Sequence, residues 1–232
     1  MSQTLDQISP QEIAARLSGP PEARAALVRE GAEAGVAEAQ AVYGQMLLNE
    51  GRARQAFAWF NKAAAQGHLM ALNMVGRCYD LGWGIPVNKP RAAECFRIAA
   101  TRGLDWGMYN YATALTLGDG VAEDKAQALR WFEKAAAMGN AKAVNYIGSF
   151  HEDGWVVERD MTRAAECYAK AAEGGDFRGQ FNHARMLAES GDLGAARHWL
   201  ARCAETATPA FLAKARQWLR TSRWPELKSA LL

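Results

Sequence analysis

Asn61-Lys62-Ala63-Ala64-Ala65-Gln66-Gly67, Arg97-Ile98-Ala99-Ala100-Thr101-Arg102-Gly103, Glu133-Lys134-Ala135-Ala136-Ala137-Met138-Gly139 and Ala169-Lys170-Ala171-Ala172-Glu173-Gly174-Gly175 are one pattern written four times. Each is an alanine-rich helical run that stops on glycine, which adopts the left-handed conformation past a helix at no steric cost. With Gly35 the stops lie 32, 36, 36 and 36 residues apart. Self-similarity at such a period marks stacked supersecondary units, each too small to bury its apolar face alone.

Upstream of each run stands a bulky pair: Trp59-Phe60, Cys95-Phe96, Trp131-Phe132, Cys167-Tyr168 and, in register, Trp199-Leu200. Large and small side chains alternate at the first place, which fills volume without overpacking and makes Cys95 and Cys167 expected core thiols. An earlier helix in each unit carries a small residue, at Gly44, Gly76, Ala112, Gly148 and Ala184. Glycine costs a helix about 1 kcal/mol, so its recurrence implies close approach by a neighbouring helix. Three residues later come Leu47, Tyr79, Leu115, His151 and Leu187, a core-type register that makes His151 a packing residue rather than a ligand or base.

Between the two helices lie the loops Gly82-Trp83-Gly84-Ile85, Gly118-Asp119-Gly120-Val121 and Gly154-Trp155-Val156-Val157. Glycine permits the turn and the following Ile or Val can tuck into the core. Asn88, Asp124 and Asp160 then stand as N-caps, and Pro90 suits a first helical turn. The outer units shorten the loop to Asn49-Glu50-Gly51-Arg52 and Ser190-Gly191-Asp192-Leu193, which accounts for the 32-residue spacing.

Ala71, Val75, Gly76, Tyr79, Gly82, Gly84, Ile85, Asn88, Ala92, Phe96, Ala99, Ala100 and Gly103 together resemble the Sel-one-like repeat family, whose α/α solenoids are related to tetratricopeptide repeats. The unit 105–140 fits as well, 141–176 departs at His151 and Val156, and the outer units look more like tetratricopeptide units. The fold the resemblance implies is all-α, a right-handed α/α superhelical solenoid in one domain of about a dozen helices. Five helix pairs are expected at 37–68, 69–104, 105–140, 141–176 and 177–205. Capping helices are expected over 1–36, and a capping helix and tail over 206–232. Within that last stretch Phe211, Leu212, Ala215, Trp218 and Leu219 share one helical face.

Composition narrows the function classes. Of 232 residues, 50% are hydrophobic and 22% charged, and the net charge of +2 is too small to make nucleic acid or an anionic membrane the default partner. Residues 1–50 carry three basic and seven acidic side chains, residues 177–232 nine and four, so the ends differ in sign. No apolar run approaches the roughly 18 residues of a spanning helix. The stretch Met1 to Arg16 lacks the basic patch and apolar segment of a secretory signal, and a cytoplasmic location is expected. Cys78, Cys95, Cys167 and Cys203 show no C-x-x-C spacing, and free thiols are expected.

No catalytic set, metal cluster or cofactor loop is legible. His68, His151, His183 and His198 never occur as H-x-x-x-H, and the Gly-x-Gly loops follow no strand and recur as connectors. The resemblance instead implies that side chains on the first helix of each pair line a concave groove. In this register they are Met70, Asn73, Arg77 and Asp80; Trp106, Tyr109, Thr113 and Thr116; Lys142, Asn145, Ser149 and Glu152; and Arg178, Phe181, Arg185 and Ala188. Amides could hold a peptide backbone, arginines pair carboxylates, and aromatics anchor apolar side chains. Trp83 and Trp155 mark a second surface at the loop edge. The expectation is a non-enzymatic, bacterial-type adaptor for a protein or extended peptide, itself a monomer or weakly self-associating. The alternative is a regulatory subunit or inhibitor that docks on an enzyme through the loop edge.

Overall fold

The computed structural model describes residues 10–231, which hold thirteen α-helices and no strand. The part of the expected N-terminal cap before Pro10 lies outside the described residues, as does Leu232. The chain falls into two compact units, Met1–Glu123 and Asp124–Leu232, divided in the loop inside the third repeat. The first holds α1 (Pro10–Ser18), α2 (Pro21–Glu33), α3 (Ala37–Asn49), α4 (Ala53–Ala65), α5 (Leu69–Leu81), α6 (Lys89–Thr101) and α7 (Asp105–Leu117). The second holds α8 (Lys125–Ala137), α9 (Ala141–Asp153), α10 (Met161–Glu173), α11 (Phe177–Ser190), α12 (Leu193–Thr206), α13 (Pro209–Thr221) and a 3-10 segment, Pro225–Leu231. Among the described residues no helix is long and apolar enough to cross a membrane.

Local chemistry sets the helix ends. Asn88, Asp124 and Asp160 each accept a hydrogen bond from the backbone N–H three residues on, at 3.0, 2.8 and 2.9 Å. His68, Asn140 and Asp176 do the same for first helices. Each such cap satisfies an orphan donor and is worth about 1 kcal/mol. The five helix-stop glycines all have positive φ, between 81° and 94°.

Within a pair the recurrent small residue meets the ring of the following helix. A Cβ added to Gly44, Gly76 or Gly148 would lie 2.7, 2.6 or 2.7 Å from a ring carbon of Phe60, Phe96 or Tyr168. These three rings are among the buried core residues. The second loop glycine has a different duty: a Cβ on Gly84 would fall on the backbone of Ala53 and Arg54, and one on Gly120 on that of Lys89 and Pro90. Gly84 and Gly120 thus let a loop lie against the start of the preceding unit's second helix.

One packing expectation changes. Cys95 and Cys167 are only partly buried, whereas Cys78 and Cys203 are the fully buried thiols. The reason is register: the second member of each bulky pair, Phe96 or Tyr168, points at the glycine and takes the centre of the core, which leaves its neighbour at the margin. His151 is half-buried, as are Tyr79 and Leu187 at the same register, while Leu47 and Leu115 are buried.

Candidate functional site

The side chains proposed to line the first-helix face separate into three environments. Met70 and Trp106 occupy the first turns of α5 and α7 and are 38% and 37% exposed. Tyr109 packs edge-to-face on Trp106 with centroids 6.1 Å apart, and Thr113 donates its hydroxyl to the Tyr109 carbonyl at 2.9 Å. Arg77 is half-buried and places its guanidinium 4.7 Å over the ring of Trp83. Burial pulls its pKa down, offset in part by Asp80.

The second environment is the repeat boundary. Asn73 and Asn145 are 2% and 5% exposed, and their side-chain oxygens accept from the amides of Asn110 and Asn182 at 2.8 and 2.9 Å. These carboxamides therefore join successive first helices and do not face an incoming backbone. Phe181 is turned in the same way, packing on Phe211 and Trp218 of α13 at 5.6 and 5.4 Å. Thr116 and Ala188, placed on the same face by spacing, are buried.

The third environment is an ionic cluster in the second unit. Arg185 Nη2 donates to Glu152 Oε2 at 2.6 Å, the Tyr168 hydroxyl donates its one hydrogen to the same oxygen at 2.6 Å, and the Ser149 hydroxyl lies 3.3 Å from the phenol oxygen. Burial works against the Glu152 carboxylate, yet the hydrogen bonds from Arg185 and Tyr168 hold its pKa below the ordinary value. Burial and the bond to Glu152 together push the Tyr168 phenol up. Lys142 is half-buried, and Arg178 is exposed with its guanidinium 4.9 Å from the ring of Phe177.

At the loops, Trp83 is half-buried beside the core of Leu47, Phe60 and Val75, beneath Arg77. Trp155 is 36% exposed, edge-on to Phe150 at 5.4 Å, with the Lys125 ammonium 5.3 Å from its ring. Burial drives the thiols of Cys78, Cys95 and Cys203 to about 11, away from thiolate chemistry. Among the described residues no group of three or more His, Cys, Asp or Glu side chains is placed to hold a metal ion.

Comparison with known proteins decides the family. The model described as Sel1 repeat matches residues 37–68, 69–104, 107–140 and 141–176, more than half of the chain. The chain belongs to the Sel1 repeat family. Sel1 repeat proteins are in general protein-interaction modules. A Sel1 repeat protein from Oxalobacter formigenes superposes with a TM-score of 0.67 at 27% identity, covering 87% of this chain and 59% of that one. A protective antigen of uropathogenic Escherichia coli with an SLR fold gives 0.65 at 26% identity, covering 95% and 50%. Protein SHC1 of Saccharomyces cerevisiae is 29% identical over 93 residues, 38% of this chain and 18% of that protein. The chain thus spans about a fifth of the length of the curated relatives it matches. The Sel1 assignment also accounts for the all-α architecture, since each matched segment is one helix pair of an α/α solenoid.

Proposed function

We propose that this Sel1 chain is a non-enzymatic adaptor that binds a protein or an extended peptide on the first-helix face of its repeats. The observation that supports this reading is the pair Met70 and Trp106, two large apolar side chains each more than a third exposed at the same register of consecutive repeats, with Tyr109 packed on Trp106. Exposed apolar groups of this kind, rimmed by polar ones, mark interaction surfaces, and Trp, Tyr and Arg dominate binding hot spots. In the second unit Lys142 and Arg178 hold that register, so polar anchors replace apolar ones there. Asn73, Asn145 and Phe181 serve the stack, and their contribution is to fix the spacing between the anchors.

The test is capture from a lysate of the source cell with the wild-type chain and with a Met70→Ser, Trp106→Ser double variant, read by mass spectrometry. The variant is expected to lose the captured partner while its helical signal and Tm stay unchanged; undiminished capture overturns the reading. A second reading, an inhibitor or regulatory subunit docking through the loop edge, draws its support from the exposure of Trp155. Trp155→Ser in the same capture experiment separates the two.

A further inference from the structure

The two units repeat one another at a spacing of 72 residues. Arg91-Ala92-Ala93-Glu94-Cys95 recurs as Arg163-Ala164-Ala165-Glu166-Cys167, and Asn73, Gly76, Trp83, Gly107 and Asn110 recur as Asn145, Gly148, Trp155, Gly179 and Asn182. Among the places where the correspondence breaks, one changes how a space between helices is filled. In the second unit, among α9, α10 and α11, the Arg185 guanidinium is seated with its side chain only 15% exposed, bound to Glu152 at 2.6 Å and to Glu189 at 3.5 Å. At the same register of the first unit Thr113 stands for Arg185, Phe96 for Tyr168 and Asp80 for Glu152. These smaller groups leave a cavity of 260 Å³ among α5, α6 and α7, lined by Asp80, Lys89, Phe96, Asn110, Thr113 and Asp119.

We propose that this cavity is a binding site for an arginine side chain of a partner chain, which takes the place that Arg185 occupies in the second unit. Its size fits one side chain: small-molecule sites run to about 300–1,000 Å³. Its chemistry asks for a donor. Asp80 and Asp119 line it with carboxylates, and the Thr113 hydroxyl, having donated to Tyr109, presents lone pairs. Lys89 bridges the two carboxylates at 2.7 and 2.8 Å through one oxygen of each, so the other oxygen of each aspartate is left outside that bridge. Arg77, the other nearby cation, lies over Trp83 and not among the lining residues. A guanidinium has five donors in a planar fork and no acceptor, on an apolar stem, which suits carboxylates set among the apolar walls of Ala92, Phe96 and Leu117 better than a carboxylate or a neutral amide does. The position 113 is also one that the family resemblance places on the first-helix face, so the cavity supplies a polar anchor on the surface proposed above.

This inference rests on that surface being a partner face, and its test is independent of partner capture. The full-length chain is titrated with acetyl-Gly-Arg-Gly-amide and, separately, with the citrulline counterpart, a neutral isostere, while backbone amide NMR signals are followed. Saturable shifts at Asn110, Thr113 and Asp119 are expected with the arginine peptide, and at least tenfold weaker binding with citrulline. Thr113→Arg supplies the guanidinium from the chain itself and is expected to abolish the shifts with Tm maintained. Lys89→Met installs the residue found at the same register of the second unit, Met161, removes a like charge, and is expected to tighten arginine binding several-fold. Equal binding of citrulline, or weaker binding of arginine to the Lys89→Met chain, overturns the proposal even if Thr113→Arg fails to fold. Loss of capture by the Met70, Trp106 variant alongside a failed titration refutes the pocket alone; a successful titration with undiminished capture refutes the apolar anchors alone.

Discussion

Val156 stands at φ 55° in the loop where Gly84 and Gly120 hold φ 74° and 76°, and it is a β-branched residue in a left-handed conformation. Such a placement costs roughly 1–3 kcal/mol. Because Val156 is exposed, its side chain returns little packing for that strain. Val156→Gly is therefore expected to stabilise the chain by about 1 kcal/mol, after the extra entropy glycine gives the unfolded state; a Tm equal to or below the parent's contradicts this. The reverse holds at Gly76. Alanine there gains up to about 1 kcal/mol of helix propensity, but its methyl would lie 2.6 Å from the Phe96 ring, which is itself 4% exposed and enclosed. Overpacking of this kind costs about 1–3 kcal/mol. Gly76→Ala is expected to be net destabilising by about 1 kcal/mol in urea denaturation, and a neutral result would show that the ring can withdraw.

At the level of single elements, the start of α11 carries a conflict that pH reveals. Asp176 caps the helix through one oxygen, accepting from Gly179 N–H at 2.9 Å, while its other oxygen and the side-chain oxygen of Gln180 are buried without partners. Burial raises the Asp176 pKa above the ordinary value of 3.8. A carboxyl whose folded pKa is raised binds a proton more readily in the native state, so this group gains stability as pH falls from above its folded pKa toward 3.8. Glu152 acts in the opposite sense: its folded pKa is lowered from 4.5, and the stability from its bonds to Arg185 and Tyr168 is present above 4.5 and lost as pH falls through the folded value. Asp176→Asn keeps the cap and adds a donor among orphan acceptors, so about 1 kcal/mol of stabilisation is expected at pH 7. That gain should shrink as pH approaches 4; a gain that stays constant from pH 7 to pH 4 would remove the carboxyl from the explanation. Elements of this kind were legible in different degrees from the chain alone. The helix stops, the caps Asn88, Asp124 and Asp160, and the close helix approach at Gly76 and Gly148 follow from local geometry that repeats along the chain, and the structure has them where the spacing puts them; that a ring of Phe96 or Tyr168 makes the approach is seen only in the structure. The burial of Asn73 and Asn145 was not legible, because a polar residue beside a repeat boundary faces solvent or its neighbour according to the rotation between repeats. The signal that existed was the partner at 37 residues, Asn110 or Asn182, one position out of register. The arginine-sized cavity was hidden for the same reason: it is visible only when alternate repeats, 72 residues apart, are laid over one another.

Over the whole molecule, stacking leaves the end repeats with an apolar face to cover, and the C-terminal solution is explicit. Phe211 of α13 packs on Phe177 and Phe181 with centroids at 4.9 and 5.6 Å, and Trp218 packs on Phe181. Leu219, Leu227 and Leu231 are buried in the same cluster as Leu200 of α12. The 3-10 segment is tied down where Arg216 donates twice to the Leu231 carbonyl, at 3.0 and 2.6 Å. Each large apolar side chain so covered contributes about 1.5–3 kcal/mol. Leu219 and Leu227 are fully buried and Phe211 and Trp218 half-buried, so together they supply an amount comparable with the lower part of the roughly 5–15 kcal/mol by which an ordinary domain is stable. A chain ended after Ala207 would leave Phe177, Phe181 and Leu200 facing water, and repeat arrays without a polar cap lose solubility. Because repeats are stabilised mainly by their neighbours, the damage should be local. In hydrogen exchange, the amides of α11 and α12 are expected to lose protection while those of α3 to α6 retain it. Sedimentation should show concentration-dependent self-association stronger than that of the intact chain. A truncated chain that stays monomeric with α11 and α12 protected would mean that α13 is an appendage rather than the cap of the stack.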